Sequence, residues 1–393
     1  MIIPYGRQDI TEEDIESVIK VLRSDFLTQG SAVPIFENKL CEYTGSKYAI
    51  AVNSCTSALH IACLSLDLGP DDILWTSPIS FVASANCAIY CGATVDFVDI
   101  DPSTALMSVG KLKEKLELAR KEKKIPKIVI LVHFSGQPCD MEEVYALSKQ
   151  YGFRIIEDAA HAIGAKYQNE PVGNCHYSDI TVFSFHPVKI ITTGEGGVAM
   201  TNNSLYAEKM ELYRSHGITR NPINMHKKID APWYYEQVDL GYNYRMTDIQ
   251  AALGSSQLNR LDQYVSSRTR IASLYNDQFK DIPVDPLMQK SGRSSSHHLY
   301  VIKVIEGQKM RDKLYNGLYE KGIGVNLHYI PINQHPFFQQ EKYKHKCSIG
   351  KKISLNNSNI FYTQALTLPL YPGLKTKQLQ YIIQEIFRIF KNG

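Results

Sequence analysis

The chain has 393 residues, 44% of them hydrophobic and 21% charged, with a formal net charge of +3. That composition supplies a large core and room for two subdomains. Its scattered Lys and Arg residues make neither a nucleic-acid footprint nor a membrane anchor, its opening MIIPYGRQDITEED lacks the features of a signal peptide, and no apolar run is long enough to span a bilayer.

In chain order, TEEDIESVIKVLR begins with a capping box from Thr11 to Asp14, and Ile15, Val18, Ile19 and Leu22 then recur on one helical face. From residue 48 strands and helices alternate. YAIAV, DILWT, TVDFVDI, KIVILVHF, RIIEDAA, TVFSF and GGVAM read as strands. SALHIACLSL, VASANCAIY, KLKEKLELARKEKK and MEEVYALSKQY read as helices. The alternation predicts a largely parallel sheet covered on both faces. After about residue 255 the rhythm changes. One or two long helices (247–279), a strand LYVIKVI, a helix MRDKLYNGLYEKG and a last helix KQLQYIIQEIFRIFK predict a smaller α+β domain. The expected division is 1–255 and 256–393, with the Ser-rich stretch 291–296 as a loop. The eight cysteines, 41, 55, 63, 87, 91, 139, 175 and 347, fit no metal-binding spacing. Cys87 and Cys91 can share a helical face, but two ligands do not make a metal site. The expectation is reduced cysteines in a cytoplasmic protein.

Ligands of open α/β sheets bind beyond the carboxyl ends of the strands, so position selects the candidates. After YAIAV comes NSCTSALH, where small hydroxyl residues run straight into a helix. Free N–H groups there suit a phosphate, and plain N-capping by Ser54 or Thr56 accounts for the same residues. In IIEDAAHA, Asp158 ends a buried strand and needs a partner, either a protonated ring nitrogen or a structural ion pair or cap. His161, taken alone, reads as a core histidine. In TVFSFHPVKIITTGEGG, Lys189 follows Ser184 by five residues. A lysine in a crowded, partly apolar site loses basicity and becomes a nucleophile toward aldehydes. A phosphate cradle, an aspartate for a pyridinium nitrogen and a Schiff-base lysine are together the parts that pyridoxal phosphate requires.

With GYNYRMTDIQAALG added, NSCTSALH, EDAAHAIGA and SFHPVKIITTGEGG resemble the DegT/StrS family of fold-type I, pyridoxal phosphate-dependent nucleotide-sugar aminotransferases. The resemblance runs from PYGRQDI to TLPLYPGL. It implies an α/β fold with a mostly parallel central sheet in a large α/β/α domain, plus a smaller C-terminal α+β domain. It assigns Lys189 to the cofactor aldehyde, Asp158 to the pyridine nitrogen and His161, where many members carry Gln, to the ring oxygen. Cys55, Thr56 and Ser184 would surround the phosphate, and Phe81 would stack on the ring. Asn243 would reach the phosphate of the neighbouring subunit's cofactor, which implies a homodimer with shared sites. The glycines of TTGEGG are expected to let the backbone pass close to the cofactor or the dimer partner.

L-Glutamate is the implied amino donor. SDFLTQG (24–30) and GVNLHYIPIN (324–333) resemble the members that aminate C4 of a UDP-linked 4-keto-6-deoxy-N-acetyl-hexosamine of β-L-arabino configuration. Those members make UDP-4-amino-4,6-dideoxy-N-acetyl-β-L-altrosamine for pseudaminic acid. The substrate residues implied are Tyr5, Asp25, Phe26, Leu27, Thr28, Cys55, Ser184, Asn243, Asn326, Leu327, His328 and Tyr329. Three other readings stay open: an aminotransferase for another UDP- or dTDP-keto sugar, a sugar dehydratase of the same fold, and a pyridoxal phosphate-binding protein without turnover. The dehydratases replace the lysine with histidine, and Lys189 speaks against that reading. No metal, nucleic acid or membrane partner is implied.

Overall fold

A seven-stranded sheet organises the computed structural model, which describes residues 2–227, 229, 231–340 and 354–391. Its strands are β1 (Tyr48–Val52), β2 (Ile73–Thr76), β3 (Thr94–Phe97), β4 (Ile128–Val132), β5 (Arg154–Asp158), β6 (Ile180–Ser184) and β7 (Gly197–Thr201). They lie in the order β1-β7-β6-β5-β4-β2-β3. The pairs β2–β3, β2–β4, β4–β5 and β5–β6 are parallel. β7 alone runs against its neighbours, β1 and β6.

The central strand β4 is apolar throughout because helices cover both faces. In β4, Ile128, Ile130 and Val132 point into the layer built from α3 (Cys55–Ser65) and α4 (Ala83–Tyr90). Val129 and Leu131 alternate into the layer of α5 (Val109–Glu122) and α6 (Met141–Tyr151). Each of these side chains is at most 5% exposed, and burying one contributes about 1.5–3 kcal/mol.

The sequence pattern missed α2 (Ala32–Thr44), which carries Pro34 in its first turn, where a missing N–H costs no helix bond. Predicted α1 (Glu12–Leu22) is present, and the Asp14 carboxylate accepts from the Thr11 N–H at 3.0 Å. Its apolar stripe is nevertheless open: Ile15, Ile19 and Leu22 are exposed, and Asp14 is the buried residue. An ion pair of 2.6 Å from Arg260 to Asp14 turns that side of α1 inward. The remaining helices around this unit are α7 (Ser204–Arg214), α8 (Asp248–Leu258) and α9 (Leu261–Gln278). The predicted boundary at 255 falls inside α8.

A three-stranded antiparallel sheet, β8 (Val284–Pro286), β9 (Tyr300–Val304) and β10 (Ala365–Leu368), carries α10 (Gln308–Glu320), α11 (Asn356–Gln364) and α12 (Thr376–Lys391). Ile3, from the start of the chain, is fully buried in this C-terminal core and bridges to Ile323. The stretch 291–296, predicted as a loop, instead pairs Arg293 and Ser294 with Tyr167 and Lys166 and buries Ser295 and Ser296. Among the described residues no helix is long and apolar enough to cross a membrane, and no cluster of three or more His, Cys, Asp or Glu could hold a metal ion. Seven cysteines are free thiols; Cys347 lies outside the described residues.

Candidate active site

The carboxyl ends of β1, β5 and β6 open into one cavity of about 900 Å³. At the first, Ser54 adopts an extended conformation and its hydroxyl accepts from the Ser57 N–H at 3.1 Å, which starts α3. The cap leaves the first-turn N–H groups of Cys55 and Thr56 outside the helix's own ladder. No acidic residue stands in that turn. Capping and anion binding are therefore complementary uses of one turn: Ser54 builds it, and Cys55 and Thr56 present its positive end to the cavity.

At the second strand end, Asp158 is 5% exposed. One carboxylate oxygen accepts from the Ser84 hydroxyl at 2.5 Å, and the other accepts from the Ala160 N–H at 3.1 Å. Ser84 in turn shares a 2.7 Å hydrogen bond with Ser80. These partners orient the carboxylate without neutralising it, leaving its charge for a cationic ligand.

The third is the loop after β6. The Phe185 N–H donates to the Gly196 carbonyl and the Thr193 N–H to the Phe185 carbonyl, closing the neck of the loop. Ile190 and Ile191 are buried anchors. Between neck and anchors, Lys189 lines the cavity together with Ser184. Burial lowers the Lys189 ammonium to about 8, against the opposing pull of Cys55 and Asp158. Relative to an ordinary lysine, its neutral fraction near pH 7 rises by roughly two orders of magnitude.

The opposite wall comes from the C-terminal unit. Asn326 pairs with Thr367 of β10 through both backbone groups, and the His328 ring meets the Thr367 hydroxyl at 2.8 Å. Tyr329 reaches His161 Nε2 at 3.3 Å and lies 6.4 Å, ring centre to ring centre, from Phe81. Tyr5 packs against His328 at 5.7 Å. The cavity thus brings together Tyr5, Cys55, Thr56, Phe81, Asp158, His161, Ser184, Lys189, Asn326, His328 and Tyr329.

Six other sequence candidates do not line it in the single chain: Asp25, Phe26, Leu27, Thr28, Asn243 and Leu327. Residues 25–28 form an exposed turn held on the start of α8, where the Asp248 N–H donates to the Leu27 carbonyl at 3.0 Å. Asn243 is exposed and bridges to Ser215.

Two glycines of the turn, Gly196 and Gly197, lie against the chain's own atoms. A Cβ on Gly197 would fall 2.5 Å from the Cys55 nitrogen, and one on Gly196 would fall 2.2 Å from Thr193 Oγ1 and 2.7 Å from Met246 Cε. Gly194 has φ +80° with open space around it. The sequence reading also passed over Ser84 and His298. Ser80 and Ser84 sit four apart where a strand end runs into a helix, a spacing that could have flagged the pair. Only the fold brings His298 to His161.

The model of the DegT/DnrJ/EryC1/StrS aminotransferase family matches residues 8–387. The UDP-4-amino-4,6-dideoxy-N-acetyl-beta-L-altrosamine transaminase of Campylobacter jejuni is 36% identical over 393 residues, covering 99% of this chain and 98% of that protein. Spore coat polysaccharide biosynthesis protein SpsC of Bacillus subtilis is also 36% identical, covering 100% of this chain and 98% of that protein. Among solved structures, Helicobacter pylori PseC, an aminotransferase involved in the biosynthesis of pseudoaminic acid, superposes with a TM-score of 0.88 at 32% identity and full coverage of both chains. The chain belongs to the DegT/DnrJ/EryC1/StrS aminotransferase family.

Proposed function

We propose that the protein is a pyridoxal phosphate-dependent aminotransferase that moves an amino group from L-glutamate to C4 of a UDP-linked 4-keto-6-deoxy-N-acetyl-hexosamine. The observation that carries this reading is the convergence of a lowered-pKa lysine, an oriented aspartate and an open helix N-terminus on one cavity. These residues fit the cofactor. The first turn of α3 with Ser184 suits its phosphate, Asp158 its pyridinium nitrogen, His161 its ring oxygen and Lys189 its aldehyde. Phe81 offers an aromatic face at the same wall. Asn243 of a second copy would reach the phosphate, so the working form is a homodimer.

Pyridoxal phosphate, when bound, supplies an aldehyde that exchanges amines and a ring that withdraws electrons from the carbon bearing the amine. The chain supplies the rest. Asp158 holds the proton on the ring nitrogen. The Lys189 amine, when free of the cofactor, would remove a proton from the amine-bearing carbon as general base and return one as general acid. Water taken up as the donor becomes a keto acid would be given back as the keto sugar becomes an amino sugar, so the net reaction exchanges the donor's amine for the sugar's carbonyl oxygen.

The choice of sugar rests on the likeness of the 24–30 and 324–333 segments to the altrosamine transaminases. Tyr5, Asn326, His328 and Tyr329 form the cavity wall available to it, and residues 25–28 are assigned to substrate by that likeness alone. The equal identity to SpsC supports a second reading, a different keto sugar, because loop shape decides that specificity.

The deciding experiment is the visible spectrum of the protein with pyridoxal phosphate, before and after L-glutamate, with Lys189→Ala as control. A band that needs Lys189, collapses with glutamate and returns with the UDP-keto sugar supports the full reading. Return only with another keto sugar replaces the substrate. No Lys189-dependent band overturns the cofactor assignment.

A further inference from the structure

The centre of the cavity wall holds a feature that the reaction scheme above does not use. His298 lines the cavity, is 4% exposed, and packs its ring on that of His161 with centroids 4.4 Å apart and planes tilted by 43°. Among the described residues, Nδ1 of each of these two buried imidazoles has no hydrogen-bond partner. Buried polar atoms are nearly always paired, so two adjacent orphans in a cavity wall point to a ligand that completes them.

The backbone around His298 is over-determined. The fully buried Arg268 has no carboxylate partner among the described residues; its guanidinium donates instead to the carbonyls of His298 at 3.1 Å and Leu370 at 2.9 Å. Ser296 Oγ donates to the His161 carbonyl at 2.8 Å, and the Ser296 N–H donates to Gly136 O at 3.1 Å. Gly136, at φ +100°, admits this approach, since a Cβ there would lie 2.6 Å from Ser296 Oγ and 3.0 Å from the His161 carbonyl. Both the β5 end and the 295–299 segment are therefore fixed against each other, and the ring contact follows.

We propose that His298 is a positioning residue that acts through His161: its ring sets the plane of the His161 imidazole and so the aim of the nitrogen that meets the cofactor ring. This rests on the pyridoxal phosphate reading. The neighbourhood keeps both imidazoles uncharged. Burial, first, and then the Lys189 ammonium and the other histidines disfavour their protonation. The groups facing the pair are Lys189, His328, Tyr329 and, behind His298, Arg268. Asp158 accepts from Ser84 and the Ala160 N–H rather than from either imidazole. A neutral imidazole can hold one orientation and one tautomer through the reaction, and the tilted ring of His298 on one side, with the Tyr329 hydroxyl at Nε2 on the other, restrains rotation about χ2.

The test is a double-mutant cycle of His298→Ala and His161→Ala in the full-length protein. It is read by the dissociation constant for pyridoxal phosphate and by the pH midpoint of the bound cofactor's visible band. His298→Ala is expected to weaken binding about five- to twentyfold and to move the midpoint, and both effects should vanish when His161 is already Ala. His298→Phe, which keeps a ring, should restore the midpoint, whereas His298→Asn should not. Additive effects in the two backgrounds overturn the proposal, as does an unmoved midpoint with a lowered Tm, the mark of a structural role alone. If wild type binds pyridoxal phosphate through Lys189 while the cycle is additive, only this inference fails. If wild type shows no such band, the cofactor reading fails and takes the inference with it.

Discussion

Ser84 donates to the buried carboxylate of Asp158 at 2.5 Å and thereby ties the first turn of α4 to the end of β5. A carboxylate aimed by a neutral hydroxyl keeps its full charge for whatever lies in the cavity. Hydrogen bonds to charged groups contribute about 1.5–3 kcal/mol. Ser84→Ala should therefore weaken pyridoxal phosphate binding by roughly ten- to a hundredfold, measured by absorbance titration. Asp158→Asn should do at least as much damage while leaving the fold intact. Equal affinity in wild type and Ser84→Ala would show that the Ala160 N–H alone orients the carboxylate.

Lys189 carries a stability cost that can be read from pH. Its ammonium titrates near 8, below the value for an unfolded lysine. Between those two values the unfolded chain binds more protons than the native one, so stability rises with pH across that window. Below pH 8 the full burden is present. Lys189→Met should raise the Tm of the cofactor-free protein at pH 7, with the gain shrinking as pH climbs from about 8 to about 10.5. The same substitution should reduce turnover by more than about a thousandfold, since in the proposed reaction the lysine would both bond the cofactor and move the proton. A Tm difference that does not change with pH would contradict the lowered value.

Gly197 and Gly194 separate close packing from backbone freedom. Any Cβ on Gly197 collides with the backbone of Ser54 and Cys55, which cannot yield without displacing the start of α3. Gly197→Ala should cost about 1–3 kcal/mol of stability and weaken cofactor binding as well. Gly194→Ala meets only its positive φ, with nothing within 4 Å, and should cost about 1 kcal/mol with affinity unchanged. Denaturant melts and cofactor titration of the two variants distinguish these outcomes.

The contrast between these glycines also shows what the sequence could convey. The strands through β6 and the helices between them were legible because their apolar runs and alternation are local properties. GGVAM was recognisable as a strand, but strand direction has no periodicity, so the antiparallel β7 came only with the fold. The same holds at the site. Lys189, Asp158 and the opening of α3 each announce themselves at a strand end. His298 meets its ring partner, His161, across a separation of more than a hundred residues. The apolar stripe of α1 was read correctly as a stripe, yet the chain buries Asp14 instead, because the Arg260 guanidinium lies on the other side.

Cys91 offers a chemical readout on the layer behind the site. A hydrogen bond from Cys63 holds its thiol below the ordinary value against burial, with His60 adding in the same sense. His60 itself is fixed, with Nδ1 3.1 Å from the Tyr244 hydroxyl and its ring 4.8 Å from that of Tyr242. The thiolate is the reactive form, and Cys91 is the partly exposed member of its group. Brief alkylation of the native protein at pH 7 should label Cys91 ahead of the buried Cys63 and Cys87, with a rate midpoint below that of an ordinary thiol. Peptide mass spectrometry across pH 5–9 checks this, and labelling that rises only above pH 8 would refute it.

Asn243 offers a test of how many chains make one site. It is exposed and does not line its own chain's cavity, and in the proposed function it reaches the partner's phosphate. In a symmetric dimer with shared sites, a Lys189→Ala chain and an Asn243→Ala chain complement each other. Each is crippled as a homodimer. In the hybrid, the site holding an intact Lys189 receives an intact Asn243 from the other chain, while the second site lacks both. Random exchange makes half of the dimers hybrid, so mixing the two inactive variants should restore about a quarter of wild-type turnover. If Asn243 served its own chain's site, or none, every site in the hybrid would lack one of the two residues or be unaffected by Asn243→Ala, and mixing would restore nothing. The assay therefore reads the quaternary arrangement and the role of Asn243 in a single measurement.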